Sequence, residues 1–237
     1  DEDETEPEES KLKVLIDKTR FAVSTEETRF YLNGIYFHVT DEGPAPVLRS
    51  VATDGHRLAR VEMPMPEGAA GMPGIIVPRK AVGELRKLLE DLDVGVQIAL
   101  SETKIKFDFD GATLTSKLID GTFPDYARVI PDNNDKVLEI DSRAFADAID
   151  RVSTISSEKS RAVKLIIDAD RVTLAVTSPD SGSATEELAA GYKSEPMEIG
   201  FNARYVLDIM GQVRGDSVRL TLADAAAPTL VNDGDDD

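Results

Sequence analysis

The feature that most constrains this chain is a repeat of element order rather than of residues. Each half reads helix, strands, helix, strands, and the pattern restarts roughly 120 residues along. In the first half, Leu12, Leu15, Ile16 and Thr19 fall at helical spacing behind Ser10 as N-cap. Strands are expected over 30–39, 47–53 and 58–63, then a Pro- and Gly-rich loop over 64–74. Pro78 suits the start of a second helix, running to about residue 92 with Val82, Leu85, Leu88 and Leu89 as its apolar stripe. Strands over 96–100, 104–109 and 112–118 follow.

The polar cluster Pro131-Asp132-Asn133-Asn134-Asp135 reads as the junction. Beyond it come a strand over 138–140, a helix capped by Asp141 or Ser142, and strands over 163–168, 171–178 and 184–190. Asn202 caps a last helix to about 213, and strands over 218–222 and 229–231 follow. Tight turns join the strands, so the sheets are antiparallel and each half is an α+β unit. The expected division is an acidic tail at 1–10, a domain at 11–135 and a second at 136–237.

Composition excludes several classes. With 41% hydrophobic residues, 5% aromatic and no Trp, the cores must be aliphatic. A formal charge of −18 argues against a uniformly basic nucleic-acid binder, though not against a local basic face. There is no Cys, hence no disulfide or thiolate chemistry, which fits a reducing cytoplasm. No apolar run reaches the roughly 20 residues that span a bilayer. The chain opens at Asp1 without Met and closes on Asp233-Gly234-Asp235-Asp236-Asp237, the pattern expected of a piece of something longer.

Catalytic readings are weak. His38 and His56 are the only histidines, and His38 sits in an alternating pattern as a surface residue, so no metal or cofactor is expected. Ser156-Ser157-Glu158-Lys159 fits the Ser-x-x-Lys of some acyl-transfer enzymes, but the companion motifs are absent and a solvated loop after a helix explains it. A Ser/Lys hydrolase is the remote rival. An acidic interaction module without a DNA role is the nearer one. Lys11, Lys18, Arg20, Arg79, Lys80, Arg86, Lys87, Arg143, Arg151, Arg204 and Arg214 lie in or beside the helices of this acidic chain. If the helices share a side, that side suits loose phosphate contact.

The run Thr53-Asp54-Gly55-His56-Arg57-Leu58-Ala59 strongly resembles the bacterial sliding clamp, the β subunit of DNA polymerase III. So do Arg29-Phe30-Tyr31-Leu32-Asn33-Gly34, Val77-Pro78-Arg79-Lys80, Thr115-Ser116-Lys117-Leu118, Phe123-Pro124-Asp125-Tyr126 and Glu198-Ile199-Gly200-Phe201-Asn202. They occur in the family's order across residues 11–231. The resemblance implies two similar clamp domains, antiparallel sheets on one side and paired helices on the other, matching the family's second and third domains. The family's first domain and its final strand have no counterpart here.

The resemblance also implies a non-catalytic processivity factor acting on double-stranded DNA. The family is a homodimeric ring whose partners are the replicative polymerase, the clamp loader and repair proteins. They dock short peptides with apolar anchors in a pocket between the second and third domains. Carried over by motif, the peptide-binding residues are Leu32, Thr53, Gly55, His56, Arg57, Leu58, Pro124, Val129, Tyr205 and Pro228. Leu32, Leu58, Pro124 and Val129 would bury the anchors, and Arg57 would supply a charged rim. DNA contact is expected from Arg29, Tyr31, Lys18, Arg20, Arg79, Lys80, Arg86 and Lys87.

Overall fold

The computed structural model describes residues 11–89, 95–109, 111–156 and 161–234. The tail at 1–10, the expected helix end at 90–92 and Lys159 lie outside the described residues. The chain divides into two units, Asp1–Pro124 and Asp125–Asp237.

In the first unit, α1 (Lys11–Asp17) buries Leu15 and Ile16. Strands β1 (Gly34–Thr40), β2 (Val47–Thr53), β3 (Leu58–Pro64) and β4 (Ile75–Pro78) form an antiparallel sheet in the order β3-β2-β1-β4. Helix α2 (Arg79–Leu88) turns Ala81, Val82 and Leu85 inward. A second sheet holds β5 (Gln97–Leu100), β6 (Lys104–Phe109) and β7 (Ala112–Lys117). Its Ile105, Phe107 and Phe109 share one core with Ile35, Phe37, Leu15, Ile16 and the stripe of α2. That layer of aliphatic side chains, rather than helix propensity, holds the short helices in place.

Two expectations change here. Residues 30–32 are not strand: a 3-10 turn spans Glu27–Leu32, and β1 starts at Gly34. The Asn33 amide donates to the Phe30 carbonyl, and the Asn33 side chain donates to the Glu26 carbonyl, so local bonds outcompete a ladder. The second change is β4, which had no expected strand. Its Ile75, Ile76 and Val77 are all buried, so they show no alternation to read. Pro78 ends the strand, where a missing donor costs little, and also precedes α2.

The second unit follows the same plan. It runs β8 (Lys136–Asp141), α3 (Ser142–Ser153), β9 (Ala162–Asp168), β10 (Arg171–Ser178), β11 (Gly182–Ala189), β12 (Gly191–Tyr192), β13 (Met197–Asn202), α4 (Ala203–Met210), β14 (Ser217–Leu222) and β15 (Leu230–Asp233). The sheets are β11-β10-β9-β13 and β12-β8-β14-β15. The first repeats the order of the β3-β2-β1-β4 sheet. Asp141 caps α3 by accepting the Ala144 amide at 2.7 Å, and Asn202 caps α4 by accepting the Arg204 amide at 3.0 Å. Helix α4 stops at Met210, short of the expected 213, with Gly211 at its C-cap. Strands β12 and β13 were not anticipated.

The division falls ahead of the polar cluster at 131–135, and bonding explains why. The Asn134 amide group donates to the Thr221 and Pro228 carbonyls, and the Asp135 amide to the Leu222 carbonyl. The cluster is thereby tied into the second unit.

Candidate functional site

Strands β2 and β3 place Thr53 opposite Leu58, leaving four residues to turn. The Thr53 hydroxyl donates to the Arg57 carbonyl at 2.8 Å and accepts the Gly55 amide at 3.0 Å. One Asp54 carboxylate oxygen accepts the amides of His56 and Arg57, at 2.9 and 3.0 Å. The other takes the Arg57 Nε at 3.1 Å. The Arg57 guanidinium also donates to the Phe21 carbonyl at 2.9 Å and lies over the Phe21 ring, 5.2 Å from its centre. From the other side, Arg29 donates to the Asp54 carbonyl at 3.0 Å while pairing with Glu26 at 2.8 Å. That hydrogen bond from Arg29 holds the Glu26 carboxyl below its usual range. Gly55 sits at φ +89, and a Cβ there would run into the Arg29 guanidinium.

The loop is therefore clamped from both ends, with Gly55 and His56 exposed at its crest and Leu58 half-buried at its foot. One expectation is corrected. Arg57 is not an open charged rim, because its side chain is 13% exposed and committed to Asp54 and Phe21. Leu32 is itself buried, so it supports the surface more than it offers one.

Pro124 is exposed and fixed by its neighbour. Phe123 is buried and stacks on Tyr36 at 4.8 Å with 6° between the planes, and Tyr36 stacks in turn on His38 at 4.9 Å. His38, expected at the surface, is part of this pile and half-buried. Burial pushes its pKa below the ordinary value, against the Val39 backbone bond and the nearby Glu42 and Glu62, with Arg49 adding to the lowering. An unfolded chain then binds that proton more readily than the folded one. Stability from this residue is complete above the ordinary histidine range and falls as pH drops through it. The urea midpoint should therefore decrease from pH 7.5 to 5.5, and His38→Gln should flatten that part of the profile. An unchanged profile in the variant would deny His38 any role in it.

In the second unit, Val129 is 59% exposed on a 3-10 turn, Tyr126–Val129, anchored by buried Tyr126. Tyr205 lies in the first turn of α4 and is half-buried; Pro228 is exposed. The positively charged residues separate into two groups. Arg79, Lys80 and Lys87 are exposed on α2, the last paired with Glu84 at 3.1 Å. Arg86, by contrast, turns back onto Asp17 of α1, with Nε 2.6 and 2.8 Å from its two oxygens. Arg20 is exposed and 3.4 Å from the same Asp17. Lys18 and Tyr31 are half-buried, and Arg29 is engaged as above. Arg151 forms a two-pronged pair with Glu186.

Sequence reasoning gave no site role to Asp54, Phe21, Glu26 or Phe123. The signal for Asp54 was present: Asp-Gly after a strand is a turn in which the carboxylate accepts the amides that follow. The Ser156 hydroxyl donates to the Ser153 carbonyl at 2.7 Å, closing the end of α3. Among the described residues, no three His, Asp or Glu side chains gather as a metal site, and no helix is long and apolar enough to cross a membrane.

Two α+β units of one plan, one after the other, with a stiff Thr-Asp-Gly hairpin on the first, define a clamp-type domain pair. Residues 7–125 match the central domain of the DNA polymerase III beta subunit, and residues 127–237 match its C-terminal domain. The chain belongs to that family. It is 57% identical to the beta sliding clamp of Caulobacter vibrioides over 219 residues, covering 92% of this chain and 59% of that one. Against the Pseudomonas putida beta sliding clamp it is 39% identical over 231 residues, covering 97% of this chain and 62% of that one. A Bartonella birtlesii sliding clamp bound to griselimycin superposes with a TM-score of 0.93 at 58% identity, over 96% of this chain and 61% of that one. This chain thus spans about three fifths of the length of these relatives.

Proposed function

We propose that the chain is the central and C-terminal portion of a DNA sliding clamp, a non-catalytic processivity factor that tethers the replicative polymerase and other enzymes to duplex DNA in the cytoplasm. The observation that carries this reading is the match of 7–125 and 127–237 to consecutive domains of one clamp subunit, in order. In the whole protein two subunits would close a ring on DNA. Loose, sequence-independent phosphate contacts allow sliding, while a bound partner peptide raises the local concentration of its enzyme.

Helix α2 supports the DNA side of this reading. It opens with exposed Arg79 and Lys80, has no acidic residue in its first turn and no side-chain cap. Cations at a helix N-terminus oppose its dipole and cost about 0.3–1 kcal/mol each, a local penalty that phosphate contact would offset. The partner side rests on Thr53, Gly55, His56 and Leu58 of the hairpin with Pro124, buttressed by Leu32 and Arg57, and on Val129, Tyr205 and Pro228 in the second unit. On the first unit, an apolar anchor of a partner peptide would bury against Leu58 and Pro124, and such an anchor is worth about 1.5–3 kcal/mol.

Calorimetry with a clamp-binding peptide tests the partner side. Leu58→Ala and Pro124→Ala should each weaken binding about tenfold, near 1.4 kcal/mol. If both variants bind as tightly as the parent chain, the residue assignment fails even though the fold stands.

A further inference from the structure

Aspartate or asparagine followed by glycine is the sequence in which a protein backbone most readily rearranges itself. The glycine nitrogen attacks the preceding side-chain carbonyl carbon, and no Cβ on the glycine blocks the approach. The chain holds five such pairs, at 33–34, 54–55, 110–111, 120–121 and 233–234. The fold locks three of them. One Asp54 oxygen accepts the His56 and Arg57 amides, and the Gly55 amide donates to the Thr53 hydroxyl. One Asp233 oxygen accepts the Arg214 and Gly215 amides, and the Gly234 amide donates to the Ser217 carbonyl at 2.8 Å. The Asn33 side chain donates to the Glu26 carbonyl, ahead of a glycine fixed in β1. Asp110 lies outside the described residues.

Asp120-Gly121 differs. Both residues are exposed, and among the described residues the Asp120 carboxyl and the Gly121 amide take part in no hydrogen bond or ion pair. The pair also lies in a short span between two anchors. The Ile119 amide donates to the Ile76 carbonyl of β4 at 3.0 Å, and Phe123 is buried on Tyr36. Only residues 120–122 run between them. Inward the span has little slack: a Cβ on Gly121 would stand 3.1 Å from the Tyr31 Cβ and 3.3 Å from the Phe30 ring.

We propose that Asp120 is a self-modification site at which the chain converts to isoaspartate, and that the change loosens the anchors on either side. The Gly121 nitrogen bonds to the Asp120 side-chain carboxyl carbon. The amide proton and the carboxyl hydroxyl leave as water, giving a five-membered succinimide. Water then adds at the Asp120 main-chain carbonyl carbon, and the bond from that carbon to the Gly121 nitrogen breaks. The main chain now runs through the former side chain and is one carbon longer. The former main-chain carbonyl has become a free α-carboxylate, and nothing has been oxidised or reduced. Because the position is exposed, the product is a substrate for a methyltransferase that esterifies isoaspartyl carboxylates with S-adenosylmethionine. The added carbon has no room against Tyr31 and Phe30, so the span bulges outward and the hold on Ile119 and Phe123 weakens. This site does not depend on the clamp reading.

The test holds the chain at neutral pH and body temperature for weeks. Peptide mapping with electron-transfer fragmentation then separates isoaspartate from aspartate at each position, and labelled methyl transfer by an isoaspartyl methyltransferase counts the product. Isoaspartate should accumulate at 120 about tenfold faster than at 54 or 233, whose carboxylates must first give up hydrogen bonds. Asp120→Glu, which cannot close the five-membered ring, should remove the product at that position. Asp120→Asn, whose amide nitrogen leaves as ammonia, should form it faster. In the aged chain the Ile119 amide should exchange faster in proportion to the isoaspartate at 120, and in aged Asp120→Glu it should not. Absence of isoaspartate at 120, equal rates at the three positions, or Ile119 exchange unaltered in the converted chain would overturn the proposal.

Discussion

An Asp54→Ala substitution is expected to weaken peptide capture about a hundredfold, near 2.7 kcal/mol, while leaving the β2–β3 ladder paired. The carboxylate accepts two amides in the hairpin and the Arg57 Nε, at 2.9–3.1 Å. Hydrogen bonds to a charged group are worth about 1.5–3 kcal/mol, more than neutral ones. Without them the His56 and Arg57 amides lose their acceptor, and the Arg57 guanidinium keeps only its other partners. A peptide must then order the loop on arrival, and that cost is deducted from its affinity. Asp54→Asn keeps one acceptor oxygen and loses the ion pair, so it should fall between, with about a tenfold loss. Calorimetry gives the affinities, and amide exchange at Gly55, His56 and Arg57 should accelerate in the Ala variant. Affinity equal to that of the parent chain would mean that the hairpin's shape is irrelevant to binding.

This residue also marks the boundary of what the sequence discloses. The hairpin was legible because Thr-Asp-Gly-His between two alternating runs can do little but turn. The strands with one buried face were legible for the same reason: Lys104 to Phe109 alternates exposed and buried without a break until Asp108. Strand β4 was not, because a fully buried strand has no period to detect. The stacking of Phe123 on Tyr36 joins residues far apart in the chain, and nothing local announces it. Arg57 illustrates a further limit. Residue type and motif place it correctly in the loop, but only the folded structure shows that its charge is spent on Asp54 and the Phe21 carbonyl rather than presented to a partner. The fold plan was thus readable from periodicity and turn chemistry, whereas the allocation of charges between structure and surface was not.

Arg86 brings that allocation to a measurable point. Its sequence position, on the same helix as Arg79, Lys80 and Lys87, made it a candidate for DNA contact. In the folded chain its side chain is 14% exposed and that of Asp17 is 19% exposed, and the pair ties α2 to α1. Removing one partner of a fully buried pair costs about 3–5 kcal/mol. Here both groups keep some solvent and Asp17 retains Arg20 at 3.4 Å, so Arg86→Ala should cost about 2 kcal/mol, a drop in Tm of about 10 °C for a unit of this size. The double variant Asp17→Leu with Arg86→Leu should recover most of that loss, because it removes both charges together. DNA association by the whole protein should respond in the opposite way. Arg79→Ala and Lys80→Ala, both exposed, should each lower the slope of log K against log salt by about one and barely alter Tm. Arg86→Ala should leave the slope unchanged below its unfolding temperature. A reduced slope with an unaltered Tm would return Arg86 to the DNA-facing set and break the assignment of its charge to the α1–α2 contact.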